Sequence, residues 1–91
     1  LASLGAELNR RVLAGWMAQG VGVVDPASTW VDVTAELAQD VTLEQGVLVR
    51  GSTRIGQGAR VGAYAILTDA VIPAGCVVAP FSQLDADAAQ A

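Results

Sequence analysis

Residues Ile55–Ile66 read IGQGARVGAYAI, and the fold is decided by this stretch. An aliphatic residue begins each half, at Ile55 and Val61, and a small residue follows four places later, at Ala59 and Ala65. A period of six residues matches neither the 3.6-residue period of a helix nor the simple alternation of a strand. It is typical of short straight segments separated by corners.

The same period extends along most of the chain, and such repeats define whole architectures. The aliphatic positions are Val31, Leu37, Leu43, Val49, Ile55, Val61, Leu67, Ile72, Val78 and Leu84, with one five-residue step before Ile72. The residues two places earlier are Thr29, Ala35, Val41, Val47, Thr53, Ala59, Ala65, Ala70, Cys76 and Ser82. Because strand side chains alternate, both sets face the same side, which we expect to be the interior of a coil. Three segments close one triangular turn of about 18 residues, so residues 31–85 predict about three coils of stacked parallel strands.

The segments outside the repeat have a different character. Residues 1–20 predict a helix, because Leu4, Leu8, Val12 and Trp16 recur every four residues and Gly20 is a C-terminal stop signal. Glu7 and Arg11 are spaced for an ion pair within that helix. Asp25-Pro26 breaks any helix, so residues 21–30 are interpreted as a hinge, and residues 86–91 as a polar tail.

Composition excludes several classes of function. The 91 residues carry a net charge of -4 with no basic patch, which argues against nucleic-acid binding. No apolar run reaches the roughly 20 residues that span a membrane. The single cysteine, Cys76, cannot form an internal disulfide, which fits a reducing compartment.

The hexapeptides starting at Ile55 and Val61 resemble those of left-handed parallel β-helix proteins, and the left-handed sense is implied by that resemblance. The helix and hinge resemble the junction of the bifunctional bacterial enzyme that makes UDP-N-acetylglucosamine, a uridylyltransferase joined to an acetyltransferase. The matching residues are Leu8–Arg11, which looks actinobacterial, then Gly20-Val21, Asp25-Pro26 and Thr29-Trp30-Val31-Asp32.

This resemblance implies a cytoplasmic trimer whose parent family uses magnesium and acetyl-CoA. The family's acetyltransferase site uses His and Lys, and this chain contains neither. We therefore expect no catalytic, cofactor-binding or metal-binding residue here, and a chain that by itself is inactive as an enzyme. Its expected role is a structural and trimerisation scaffold. The alternatives are a stand-alone β-helix assembly module and an acyltransferase whose site forms between subunits.

The three glycines Gly56, Gly58 and Gly62 invite comparison with a phosphate-binding loop. A dinucleotide fingerprint needs G-x-G-x-x-G between a strand and a helix. Here Gly62 comes one residue too late and no helical pattern follows. We interpret Gly56 and Gly62 as corner residues that adopt a positive φ, and Gly58 as a loosely specified position.

Other candidate residues have structural interpretations. The carboxylates of Asp25, Asp32, Asp40 and Glu44 fall at different repeat positions, so solvated faces are favoured over a metal or acid–base cluster. Cys76 occupies an inward slot and is expected in the core.

The remaining candidates are basic and aromatic side chains, namely Arg50, Arg54, Arg60, Trp16, Trp30, Tyr64 and Phe81. Arg54 and Arg60 should lie on adjacent faces, with Arg60 pairing with an acidic neighbour rather than binding an anion. Trp16 and Trp30 are expected to pack together, with sugar stacking as the alternative. Tyr64 and Phe81 are expected outside the coil, as a subunit contact.

Overall fold

An N-terminal helix leads into a parallel β-solenoid in the computed structural model, which describes the backbone of residues 2–85 and the side chains of residues 7–85. The predicted polar tail and the side chain of Leu4 lie outside these ranges. Helix α1 spans Ala2–Ala18. Its end is a Schellman motif, in which the Gly20 N–H donates to Met17 O and the Val21 N–H to Trp16 O. Gly20 has a φ of 100°, so the predicted stop signal is confirmed.

Eleven short strands follow α1. They are β1 Gly22–Val23, β2 Trp30–Val31, β3 Glu36–Leu37, β4 Thr42–Leu43, β5 Leu48–Arg50, β6 Arg54–Ile55, β7 Arg60–Val61, β8 Ile66–Thr68, β9 Val71–Ile72, β10 Val77–Val78 and β11 Gln83–Leu84. All pairings are parallel, and every third strand along the chain joins the same sheet. Sheet 1 holds β1, β4, β7 and β10; sheet 2 holds β2, β5, β8 and β11; sheet 3 holds β3, β6 and β9.

The predicted fold class is therefore confirmed: a mainly β parallel solenoid with one N-terminal helix. It has about four turns rather than three. The extra strand is β1, which lies in the segment interpreted as a hinge and pairs with β4 through Gly22 and Thr42. Strand pairing is the same for either sense of coiling, so the left-handed sense remains what the resemblance implies.

The two sets of repeat positions form the core. Nine of the ten aliphatic positions are buried, from Val31 to Val78, and Leu84 in the last described coil is half-buried. The small positions from Thr29 to Ala70 are also buried. The interior is therefore filled by alternating large and small residues, as the period of six predicts.

The buried stripe of α1 differs from the predicted one. Leu13 and Asn9 are buried and Val12 and Trp16 are partly buried, whereas Leu8 is 53% exposed. A spacing of four residues drifts around a helix that turns every 3.6 residues, so Leu8 leaves the face that Trp16 occupies. The predicted pair between Glu7 and Arg11 is confirmed, at 3.4 Å on the exposed side.

The five-residue step from Leu67 to Ile72 makes one corner a residue shorter than the others. The side chains of Thr53, in the preceding coil, and Asp69, in the shortened corner, provide hydrogen bonds there. Thr53, fully buried, donates its hydroxyl to Arg50 O at 2.7 Å and accepts from the Ala70 N–H at 3.3 Å. Asp69 accepts a hydrogen bond from the Ser52 N–H at 2.7 Å. The shortened corner thus keeps its backbone groups bonded although one residue is missing.

Candidate functional site

The three glycines of the opening stretch have structural roles, but not the predicted ones. Gly56 and Gly62 do not have a positive φ. A Cβ on Gly56 would collide with the backbone of Ala74, and one on Gly62 would lie 2.8 Å from Val78 O. These two glycines therefore allow the next coil to stack closely. Gly58 is the one with a positive φ, 76°, and has open space where a Cβ would be.

The structure does not bring the four candidate carboxylates together. Asp25 closes its own turn, accepting from Ala27 N–H at 3.3 Å and from the Ser28 hydroxyl at 2.9 Å. Asp32 links two coils, accepting from Trp30 Nε1 at 2.6 Å and from the Gly51 N–H at 2.7 Å. Both carboxylates therefore hold corners in shape.

Asp40 and Glu44 fit the predicted surface positions more closely. Asp40 is exposed, with a φ of 62° in a corner turn. Glu44 is half-buried and faces Arg60, with 3.6 Å between the charged groups. Within residues 7–85, no group of three or more potential metal-ligating side chains is found.

The arginines are placed as predicted. Arg54 on β6 and Arg60 on β7 lie on adjacent sheets. Arg60 pairs with Glu44, and Arg54 pairs with Glu36 at 3.1 Å across sheet 3. Both pairs are exposed enough to contribute little to stability.

Cys76 is exposed, so its predicted place in the core is wrong. The residue occupies the slot that follows Ala59 in sheet 1, and the Arg60 N–H donates to its carbonyl. Within the described range no coil follows the one that contains Cys76.

An aromatic stack occupies the corner before sheet 2. Tyr64 and Phe81 lie in consecutive coils with ring centroids 5.5 Å apart and an angle of 11° between the rings. Tyr64 also contacts the coil before it: its ring lies over Gly46, where a Cβ would collide with the ring. Gln45 donates to the Tyr64 hydroxyl at 3.2 Å. We call Tyr64, Phe81 and the neighbouring outward side chain of Ile66 the aromatic corner.

Both rings are exposed, as predicted, Phe81 to 77%. The predicted Trp16–Trp30 contact is absent, since Tyr64–Phe81 is the ring pair found among the described side chains. Trp30 begins an uncharged outward ladder on sheet 2, continued by Leu48, Ile66 and Gln83. The equivalent ladders of the other sheets contain Arg60, Glu36 and Arg54.

Sequence reasoning missed the role of Asn9. Its amide donates to Thr29 O at 2.7 Å and accepts from the Val31 N–H at 2.9 Å, and both bonds are buried. These contacts fix α1 to the edge of β2. The sequence feature that could have indicated this role is the position of Asn9 four residues before Leu13, because this spacing puts both residues on the same face of α1.

A cleft of about 680 Å³ lies beside this junction. Its lining combines Asn9 and Arg10 of α1, the turn 25–29, and the outward side chains of Trp30 and Leu48. No single stretch of sequence contains these parts, so the repeat pattern could not reveal the cleft. Nor does the part of the chain that the structure describes contain a helix long and apolar enough to cross a membrane.

No family model matches the chain. Individual relatives do match, and the three described below are named bifunctional protein GlmU. The protein of Kineococcus radiotolerans is 51% identical over 78 residues, which are 86% of this chain and 16% of that protein. The Micrococcus luteus protein has the same identity and shares. The Rhodococcus jostii protein is 43% identical over 100 residues, covering 92% of this chain and 20% of that protein.

The chain thus spans only about a sixth to a quarter of the length of the curated relatives it matches. The alignments are longer than the 55 or so residues of the repeat, so the relatives also match this chain outside the repeat. A shared repeat pattern alone therefore does not explain the similarity. Together with the solenoid, these similarities confirm the family that the helix and hinge resembled. The chain is a homologue of one segment of the bifunctional GlmU proteins.

Proposed function

We propose that this chain is a structural β-solenoid segment that associates with further copies of itself as a trimer and holds no complete active site. The aromatic corner carries the proposal. Tyr64 and Phe81 have φ values of 60° and 62°, in a region that bulky residues rarely adopt. Holding each residue there costs about 1–2 kcal/mol.

That cost is not offset by burial in the chain alone. Other corners with a positive φ at the corresponding position have Gly46, Gly58 or Gly75, for which it is easy, or Asp40, a residue type that tolerates it. Phe81 keeps its strained backbone while most of its ring faces solvent. An exposed, rigidly held aromatic pair beside an uncharged ladder is typical of the centre of a protein interface, where charged residues are depleted.

A second copy of the chain is the proposed occupant. Each copy carries a net charge of -4, so copies repel each other unless they meet through an uncharged surface. The row formed by Trp30, Leu48, Ile66 and Gln83 next to the aromatic corner meets that condition, whereas the parallel outward row of the same sheet carries Arg50. The trimeric state and a cytoplasmic location are proposed from the resemblance to the GlmU family.

The proposed lack of activity is supported by the sequence, which contains no His or Lys. The uridylyl and acetyl transfers implied by the resemblance, with their magnesium and acetyl-CoA, are proposed to depend on residues outside this chain. Measurable thiol release from acetyl-CoA with glucosamine-1-phosphate would overturn this part and favour an acyltransferase site between subunits.

Light scattering coupled to size-exclusion chromatography tests the association. We expect a trimer for the unmodified chain and a monomer for Phe81→Asn, since Asn tolerates the positive φ. The matched control is Val77→Asn, which changes a residue of similar exposure, 72%, on sheet 1. A monomeric unmodified chain at high concentration, or equal dissociation of both variants, would contradict the proposal.

A further inference from the structure

The open cleft beside Trp30 has the volume of a small-molecule site. Its volume of about 680 Å³ falls within the range of small-molecule pockets. Apolar surface comes from Trp30, Leu48, Pro26 and Ala27, and polar groups come from α1 and the turn 25–29. Sites of this kind occur where two structural units meet, as α1 and the solenoid do here.

Each wall of the cleft is held in place by hydrogen bonds. Asn9 fixes α1 to Thr29 and Val31. Asp32 accepts from the indole N–H of Trp30 and so restrains its ring. The turn 25–29 is closed by its own bonds, including one of 2.8 Å from the Thr29 hydroxyl to Asp25 O. A cleft with fixed walls loses little conformational entropy when a ligand enters.

The polar side chains lining the cleft are already engaged, with one exception. Asn9 uses both ends of its amide, and Asp25 uses both carboxylate oxygens. Ser28 donates to Asp25 and accepts from the Gly46 N–H at 3.0 Å. Arg10 has no ion pair or hydrogen bond from its guanidinium to any described side chain.

We propose that this cleft binds a flat aromatic ring that carries a single anionic group, with the ring against Trp30 and the anion at Arg10. The fixed indole provides a face for stacking, and Leu48 extends the apolar surface. Among the described side chains that line the cleft, the Arg10 guanidinium is the one cation, and it suits a carboxylate or a phosphate. A sugar fits less well, because its hydroxyls need several free hydrogen-bonding partners and these are already occupied.

NMR spectroscopy of the two tryptophan indole N–H signals tests the proposal. Benzoate is the probe, benzyl alcohol supplies the ring without the charge, and acetate supplies the charge without the ring. Trp16 does not line the cleft and serves as an internal reference, and the Trp16→Phe variant assigns the two signals. We expect benzoate to shift the Trp30 signal saturably, with a dissociation constant on the order of 1 mM, and the other two compounds to bind more weakly.

Neighbouring arginines provide matched variants. Arg10→Gln should weaken benzoate binding by up to about fivefold, the upper end of the range for an exposed charge pair. Arg11→Gln should leave it unchanged, because Arg11 pairs with Glu7 and does not line the cleft. Benzyl alcohol binding should be the same in both variants.

Three outcomes would overturn the proposal: no saturable shift of Trp30 in either the unmodified or the Phe81→Asn chain, equal shifts of Trp16 and Trp30, or equal effects of the two arginine variants. The titration is repeated in the Phe81→Asn chain. If self-association covers the cleft, binding appears only there. If the chain does not associate at all, the result at Trp30 still decides the proposal by itself.

Discussion

Asn9 in α1 accepts a hydrogen bond from the backbone N–H of Val31 in β2, at 2.9 Å. The same amide donates to the carbonyl of Thr29, at 2.7 Å. In a parallel sheet, the N–H and C=O groups of one residue bond to two residues of the next strand that are separated by one position. The Asn9 amide bonds to Thr29 and Val31, on either side of Trp30, in the same way. A side-chain amide therefore takes the place of a neighbouring strand at the N-terminal edge of sheet 2.

Replacing this amide should weaken the whole fold. Asn9→Leu has a similar volume but leaves a buried carbonyl and a buried N–H without partners, which we expect to cost about 3 kcal/mol in the free energy of unfolding. Urea denaturation followed by circular dichroism measures the loss. The control, Arg11→Gln, removes only an exposed ion pair and should change the free energy by less than about 0.5 kcal/mol. Equal stabilities of the two variants would show that the Asn9 bonds contribute nothing.

Two glycines two residues apart, Gly56 and Gly58, should respond differently to alanine. Gly56→Ala places a methyl group against the backbone of Ala74, which cannot move without separating two coils, and should cost about 3 kcal/mol. Gly58→Ala meets no atom within 4 Å and should cost about 1 kcal/mol through its positive φ alone. Urea midpoints rank the variants. The reverse order would mean that backbone conformation, not coil spacing, selects these glycines.

The shortened corner predicts a role for a buried hydroxyl. Thr53→Val preserves shape but removes the acceptor for the Ala70 N–H, so we expect a loss of about 1–2 kcal/mol. Thr42→Val, on the outer surface of sheet 1, is the matched control and should have little effect. Thermal unfolding distinguishes them. A Thr53→Val chain as stable as the control would exclude this hydroxyl as support for the five-residue step.

Cys76 should be reactive in the folded chain. Its exposed thiol should react with a disulfide reagent at a rate close to that of the urea-unfolded chain, because no described coil covers it. Absorbance of the released thiolate measures both rates. A rate in the folded chain many times lower than in urea would mean that the residue is covered in solution.

The solenoid could be predicted because each six-residue repeat is a continuous stretch of the sequence. Each aliphatic position from Val31 to Val78 faces the interior and is buried, and the period of six is enough to identify it. Cys76 has the same position in the repeat as the buried small residues Ala59 and Ala70, yet it is exposed in the last described coil. Sequence spacing reports which side of a strand a residue faces, not whether anything covers that side.

The site could not be predicted for a related reason. The cleft joins Arg10, Trp30 and Leu48, which are far apart in sequence and belong to different structural units. The predicted buried face of α1 was also wrong in part. The four-residue spacing placed Leu8 on that face, whereas Asn9 and Leu13 are the buried residues. Only the packing of α1 on the first coil reveals which side chains share a surface.

The amide of Asn9 also has a consequence for the order of assembly. Stability in a solenoid comes from contacts between adjacent units, so a first unit needs something to stack against. Helix α1 is synthesised before any strand, and it already carries the Asn9 amide, which bonds to β2 as a peptide group would. We expect it to act as a template for the first coil, so that growth is vectorial and follows synthesis from the N-terminus onward.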